Sequence, residues 1–335
     1  GGPSGVRKRS WAGLGLLLAA SFLLSCLCGR YPLAPADLWE ILSGQAAGSM
    51  KENVFWNIRV ARTCVTALCG GALSLAGFVY QSLFRNPLVS PDVLGVSGGA
   101  SVGAICAILF FGGSAAALQI LSFAGGVVTV ALSLLLARAI GGNRYFNLII
   151  SGIILGALAN AAIMALKYIA DPAQQLAVID YWLMGSFSLA SWAKLRVIAP
   201  PILAAGAVLA LLRYRLKVLT LGDEEAASLG VAVVPARLIC IGCATVLVAA
   251  SVMVSGIVSW VGLIVPHLVR SVLGERFEAN FFQSILCGAA LLLVADTLAR
   301  SLLPSEIPIS ILTSLIGALF LAAFLLCRGR GERTC

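Results

Sequence analysis

Residues 236–255 read ARLICIGCATVLVAASVMVS, twenty positions in which Arg237 is the sole charge and every other side chain is apolar or small. An α-helix needs about 20 such residues to cross the hydrocarbon core of a bilayer. Stretches of the same kind lie at 11–29, 63–84, 93–111, 115–139, 146–168, 193–213, 258–272, 280–299 and 309–327, which makes ten in all. The eighth in chain order, 258–272, is short and contains Pro266. It reads as a broken segment, or one buried among other helices, where freed backbone groups find partners.

Composition agrees. The 335 residues are 60% hydrophobic and 11% charged, against about 25% charged in an ordinary soluble domain. A globular chain of this size has too much surface to hide that apolar fraction in a core, so lipid must cover part of it. The fold class is therefore an all-α polytopic membrane protein. A single transmembrane domain covers 11–327, with short tails at 1–10 and 328–335. Gly1 to Gly5, with no initiator methionine, resemble an expression remnant. Arg7, Lys8 and Arg9 precede an apolar run long enough to span, with no A-x-A site after it. That run reads as the first span and not as a cleaved signal.

The net charge of +9 would suit a nucleic-acid partner, but the basic residues sit in short connections between apolar stretches. They read as an orientation signal, because cytoplasmic loops collect Lys and Arg. With the N-terminus inside and ten crossings, fifteen of the 23 basic residues fall on the inner side and eight on the outer. An odd number of spans breaks that asymmetry, so both termini are expected in the cytoplasm. Most of the ten cysteines lie inside apolar stretches, and Cys240 and Cys243 (C-x-x-C) lack further ligands nearby. They read as packing residues. Two outer segments, 30–57 and 169–192, are long enough for short surface helices.

Three features carry chemistry. Gly95, Gly99 and Gly103 recur every four residues on one helical face, which suits either close helix packing or a pathway lining. Next, Leu221-Gly222-Asp223-Glu224-Glu225-Ala226 through Leu229 and Gly230 places three acids in an inner connection that should be basic. Asp223 is placed to begin a short helix, where carboxylates are favourable, and Gly230 to end it. Such a helix with an Ala/Leu face, within a connection spanning 218–232, is a docking surface for another protein; an ordinary solvated connector is the plainer alternative. Finally, Arg59, Arg62 and Arg300 lie at outer helix ends against the orientation rule. Buried arginines need acids. Asp296 or Glu306 can supply them within the chain, or an acidic partner can supply them from outside.

Other features are missing. The chain has no G-x-x-x-x-G-K-[ST] phosphate loop, and its one histidine, His267, has no ligand cluster around it. ATP binding by that route, a metal site and a hydrolytic centre are all unsupported. No acid stands clearly in mid-span, Asp296 excepted, which weighs against a stand-alone secondary transporter or channel.

Several stretches taken together resemble a known family. These are Arg59-Val-Ala-Arg62-Thr63, GFVYQSLFRNPLVSPDVLG at 77–95, Leu221 to Gly230, WVGLIVPHLVR at 260–270, ADTLAR at 295–300, and EIPIS at 306–310 leading to Gly317. In this order they resemble the permease subunits of iron-siderophore, haem and vitamin B12 ABC importers (FecCD-type, type II). The resemblance implies ten helices per subunit and a second copy completing one pathway. It also implies two separate ATPase subunits that bind ATP and Mg, no cofactor in this chain, and a periplasmic or surface-anchored binding protein. The location it implies is a bacterial or archaeal cytoplasmic membrane. On this resemblance Leu221 to Gly230 is the ATPase-coupling segment, and Arg59, Arg62 and Arg300 receive acids of the binding protein. Tyr145 and Phe146 match the position of the cytoplasmic gate, where a bulky aromatic pair replaces the family's small polar residues.

Overall fold

The computed structural model describes residues 3–331 except 30, 32, 143 and 275. Residues 1 and 2, within the stretch expected to be a remnant, and 332–335, within the expected C-terminal tail, lie outside that set. Helix α1 (Pro3–Leu27) is followed by a short α2 (Pro35–Leu42). The long α3 (Met50–Leu83) contains a wider, π-type turn at Val54–Val60. Helices α4 (Val96–Phe110), α5 (Ala115–Ile140) and α6 (Arg144–Ile169) come next, then α7 (Leu176–Met184) and α8 (Trp192–Leu219). The six-residue α9 (Asp223–Ser228) leads into α10 (Val233–Ser255), α11 (Val261–Leu273), α12 (Phe277–Ser301) and α13 (Ile309–Gly331).

Six helices are long and apolar enough to cross a membrane: α3, α5, residues 145–169 of α6, α8, α10 and α12. Trp11–Leu27, α4, α11 and Ile309–Phe324 are shorter apolar helices. Each of the ten apolar stretches in the sequence lies on one of these. Both outer segments carry helices, α2 in one and α7 in the other.

Helices α3 and α10 form the centre, with Cys69, Ala76, Val79, Ala244 and Ala249 wholly buried. Helices α5 and α6 instead turn Ile120, Leu135, Ile153 and Met164 outward, an apolar surface suited to lipid or to another apolar chain. Small residues set the close contacts in the centre. Gly70 faces the Gly288 carbonyl on α12, and Gly77 faces that of Gly262 on α11. A side chain at either place collides with backbone, so these glycines let the helices approach closely.

Between α10 and α11 the chain unwinds over 256–260, and Trp260 adopts a left-handed φ of 72°. The carbonyls freed there are filled by protein groups. Ser186 N–H donates to Ser255 O (2.7 Å), and Ser310 Oγ donates to Ile257 O (2.6 Å). Ile309 N–H closes the same junction on Gly185 O at 3.0 Å. This is how irregular backbone is tolerated within a membrane protein, and it explains why the stretch around Pro266 is short.

Candidate functional site

Helix α8 ends at Leu219, and Gly222, at φ 135°, turns the chain into α9. Asp223, Glu224 and Glu225 occupy its first turn, where the unpaired N–H groups favour negative charge. The helix closes in a Schellman arrangement: Gly230 (φ 80°) donates to Ala227 O, and Val231 donates to Ala226 O, both at 3.0 Å. Only the inner side of α9 is anchored, through the wholly buried Ala226. The outer side presents Glu224, Glu225, Leu221 (57% exposed) and Leu229 (62% exposed). Two exposed leucines flanking carboxylates on a short, capped helix make a surface that a protein partner can cover.

Asp223 points the other way. Its Oδ1 accepts from Tyr145 Oη (2.6 Å) and from Arg237 Nη2 (2.5 Å), and Arg237 Nη2 also donates to Tyr145 Oη (2.6 Å). The guanidinium groups of Arg237 and Arg85 lie 4.5 and 5.1 Å from the centre of the Tyr145 ring, close enough for cation–π attraction. Phe84 meets the same ring edge-on at 6.4 Å. Burial pushes the Asp223 carboxyl up, but the bonds from Arg237 and Tyr145 outweigh it and hold the group below its ordinary value.

Two residues expected in separate roles, Tyr145 at a gate and Asp223 in a coupling segment, are thus in direct contact. Phe146 is 61% exposed on α6. The sequence reading missed Arg237 and Arg85, which it counted only as inner positive charges. A signal was available for Arg237. It is the lone charge of an apolar helix and is 5% exposed, and such an arginine must find an acid.

The three arginines expected to receive acids of a binding protein make bonds within the chain. Arg62 is 6% exposed and bonds Asp296 through Nε (3.0 Å) and Nη2 (2.8 Å), and Glu306 through Nη1 (2.9 Å). Arg300, also buried, lies 3.6 Å from Asp296 and donates to Ser25 O and Oγ. Arg59 sits in the π-type turn and donates to the carbonyls of Cys26 (3.2 Å), Leu27 (2.6 Å) and Tyr31 at the end of α1. In this conformation Arg62 spends its donors inside the chain and Arg59 and Arg300 spend part of theirs, Arg300 Nε facing Asp296 only at 3.6 Å, because a buried guanidinium without partners is costly. The internal pairing left open by the sequence is the one observed.

Gly99 and Gly103 pack against α5. A methyl group on Gly103 would collide with Leu121 O, and one on Gly99 with Thr129 Oγ1 and Gly125 O. Gly95, at φ 79°, begins α4, with Asp92 Oδ1 accepting from Ser97 N–H at 2.6 Å. The glycine face is a helix-packing surface. His267 lies edge-on to Phe324 at 4.6 Å. Among the described residues, no three of His, Cys, Asp and Glu gather where they could hold a metal ion.

The geometry defines a multi-pass, all-α membrane protein with a short acidic helix exposed at one end of the bundle. The profile of the FecCD transport family matches residues 17–328, and the chain belongs to that family. It is 40% identical to the molybdate import system permease protein MolB of Haemophilus influenzae, over 91% of this chain and 92% of that one. It is 37% identical to the hemin transport system permease protein HmuU of Yersinia pestis, over 98% of both. Among solved structures, an inward-facing metal-chelate-type ABC transporter superposes with a TM-score of 0.85 at 36% identity, covering 96% of this chain and 99% of that one.

Proposed function

We propose that this chain is the membrane permease subunit of an ATP-driven importer of a metal chelate. Two copies enclose the pathway in a bacterial or archaeal cytoplasmic membrane. Two ATPase subunits, which bind ATP and Mg, sit against α9 of each copy. A periplasmic or surface-anchored binding protein supplies the solute and most of the selectivity, so the permease itself needs only a gated, weakly binding path. ATP binding draws the ATPase subunits together, the α9 helices move with them, and the inner and outer gates exchange.

The observation that carries this reading is the exposed face of Glu224 and Glu225 on α9, flanked by the exposed Leu221 and Leu229, in a chain matched by one transport family over 17–328. An ordinary solvated connector has no need of two outward leucines. An iron-siderophore complex is the first cargo, with haem and cobalamin in the same frame. Molybdate is a second reading, carried by the 40% identity to a molybdate permease.

Outer docking of the binding protein through Arg59, Arg62 and Arg300 requires these side chains to leave the bonds they make within the chain. We assign these arginines to holding the outer ends of α1, α3 and α12 together. Co-purification tests the main reading. Co-expressed with an ATPase subunit from its own transport system, the chain should form a stable complex whose ATP hydrolysis rises when loaded binding protein is added. A chain that purifies alone and moves solute without the ATPase is instead a stand-alone transporter or channel.

A further inference from the structure

One oxygen atom joins three elements at the end of the bundle where α9 lies. Asp223 Oδ1, on the first residue of α9, accepts from Tyr145 in the first turn of α6 and from Arg237 in the first turn of α10. Helix α10 belongs to the buried centre, whereas α6 lies at the periphery with much of its surface exposed. Helix α9 is only six residues long, and Ala226 alone is buried along it. Its position therefore depends heavily on the Asp223 side chain.

We propose that Tyr145, Asp223 and Arg237 form a latch that makes the start of α6 follow α9. Tyr145 is a positioning residue here. Its ring lies against the guanidinium groups of Arg85 and Arg237, and its hydroxyl carries any displacement of Asp223 into α6. The chemistry explains why an aromatic phenol is used. A small hydroxyl side chain at 145 would not bridge to Asp223, and phenylalanine would keep the stacking while losing the link. The identity of the partner that moves α9 rests on the importer reading above; the latch is a property of this chain alone.

The test uses Tyr145→Phe, which keeps the ring, with Arg237→Lys as a second variant that keeps the charge but loses the forked geometry. Amide exchange is read at 223–229 in the purified chain in lipid nanodiscs, and solute moved per ATP hydrolysed is read in the assembled complex. The latch predicts exchange faster by about tenfold, as loss of a charge-assisted hydrogen bond implies, and a severalfold lower transport yield per ATP. It also predicts that Tyr145→Phe combined with Asp223→Asn is no worse than Asp223→Asn alone. Unchanged exchange in both variants overturns the latch whatever the transport assay gives. Faster exchange with unchanged yield per ATP overturns its coupling role. Faster exchange in a chain that recruits no ATPase supports the latch and overturns the importer reading instead.

Discussion

Arg62 and Asp296 meet between α3 and α12, 234 residues apart in sequence, with Arg62 Nε and Nη2 both donating to the carboxylate. Asp296 is 1% exposed and also faces Arg300. One carboxylate therefore balances two buried guanidinium groups, with Glu306 adding a second acid at the partly exposed edge. Removing Asp296 leaves Arg300 with no acid and Arg62 with Glu306 alone.

Asp296→Ala is expected to destabilise the protein by about 3–5 kcal/mol, the range for breaking a buried ion pair. Glu306→Gln, at the more exposed edge, should cost much less. Thermal unfolding in detergent measures both. Arg62→Glu should likewise reduce the yield of folded protein before any effect on a binding protein can be measured.

The glycine face predicts a contrast in packing. Gly103→Ala places a methyl group against Leu121 O, whereas Gly156→Ala meets nothing within 4 Å. The first should lower stability by about 1–3 kcal/mol, as overpacking does. The second should be neutral within about 0.5 kcal/mol. Paired thermal melts check the difference.

Glu224→Lys with Glu225→Lys reverses charge on the exposed side of α9 without touching Asp223. The helical bundle should stay folded, with α9 weakened only at its first turn, and affinity for the ATPase subunit should fall by tenfold or more, about 1.4 kcal/mol. Titration of the detergent-solubilised permease with ATPase subunit checks this. Unaltered affinity removes α9 as the docking surface.

The pH dependence of α9 follows from Asp223. Its folded value lies below the ordinary 3.8, so its stabilising effect is fully present above 3.8 and is lost as pH falls through the lower folded value. The facing groups are the guanidinium groups of Arg85 and Arg237 and the phenol of Tyr145, kinds that do not titrate in acid. Exchange protection at 223–229, corrected for intrinsic rates, should be flat from pH 8 to 5 and fall only below about pH 4. Asp223→Asn should abolish that acid step.

The sequence was legible wherever hydropathy alone decides. All ten apolar stretches became helices, and the acidic segment became a short helix starting at Asp223 and closed by Gly230. Boundaries were blurred where polar residues belong to a helix. Lys51, Glu52, Asn53 and Asn57 disguise the first turns of α3, which runs back to Met50 and not to the apolar edge at Thr63. Long-range pairing was hidden for another reason. Arg237 looks like any cytoplasmic positive charge until the fold brings Asp223 and Tyr145 beside it. The outer arginines were recognised as anomalous, yet composition cannot say whether their acids come from the same chain or from a partner.

The central claim, that this chain conducts a solute on behalf of an ATPase, is tested most directly by uptake into proteoliposomes. These would contain the permease and its ATPase, with ATP inside and loaded binding protein outside, and would be offered either a ferric chelate or molybdate. Uptake should need ATP, the ATPase and the binding protein together. Uptake that persists without ATP, or that follows an ion gradient instead, would contradict it.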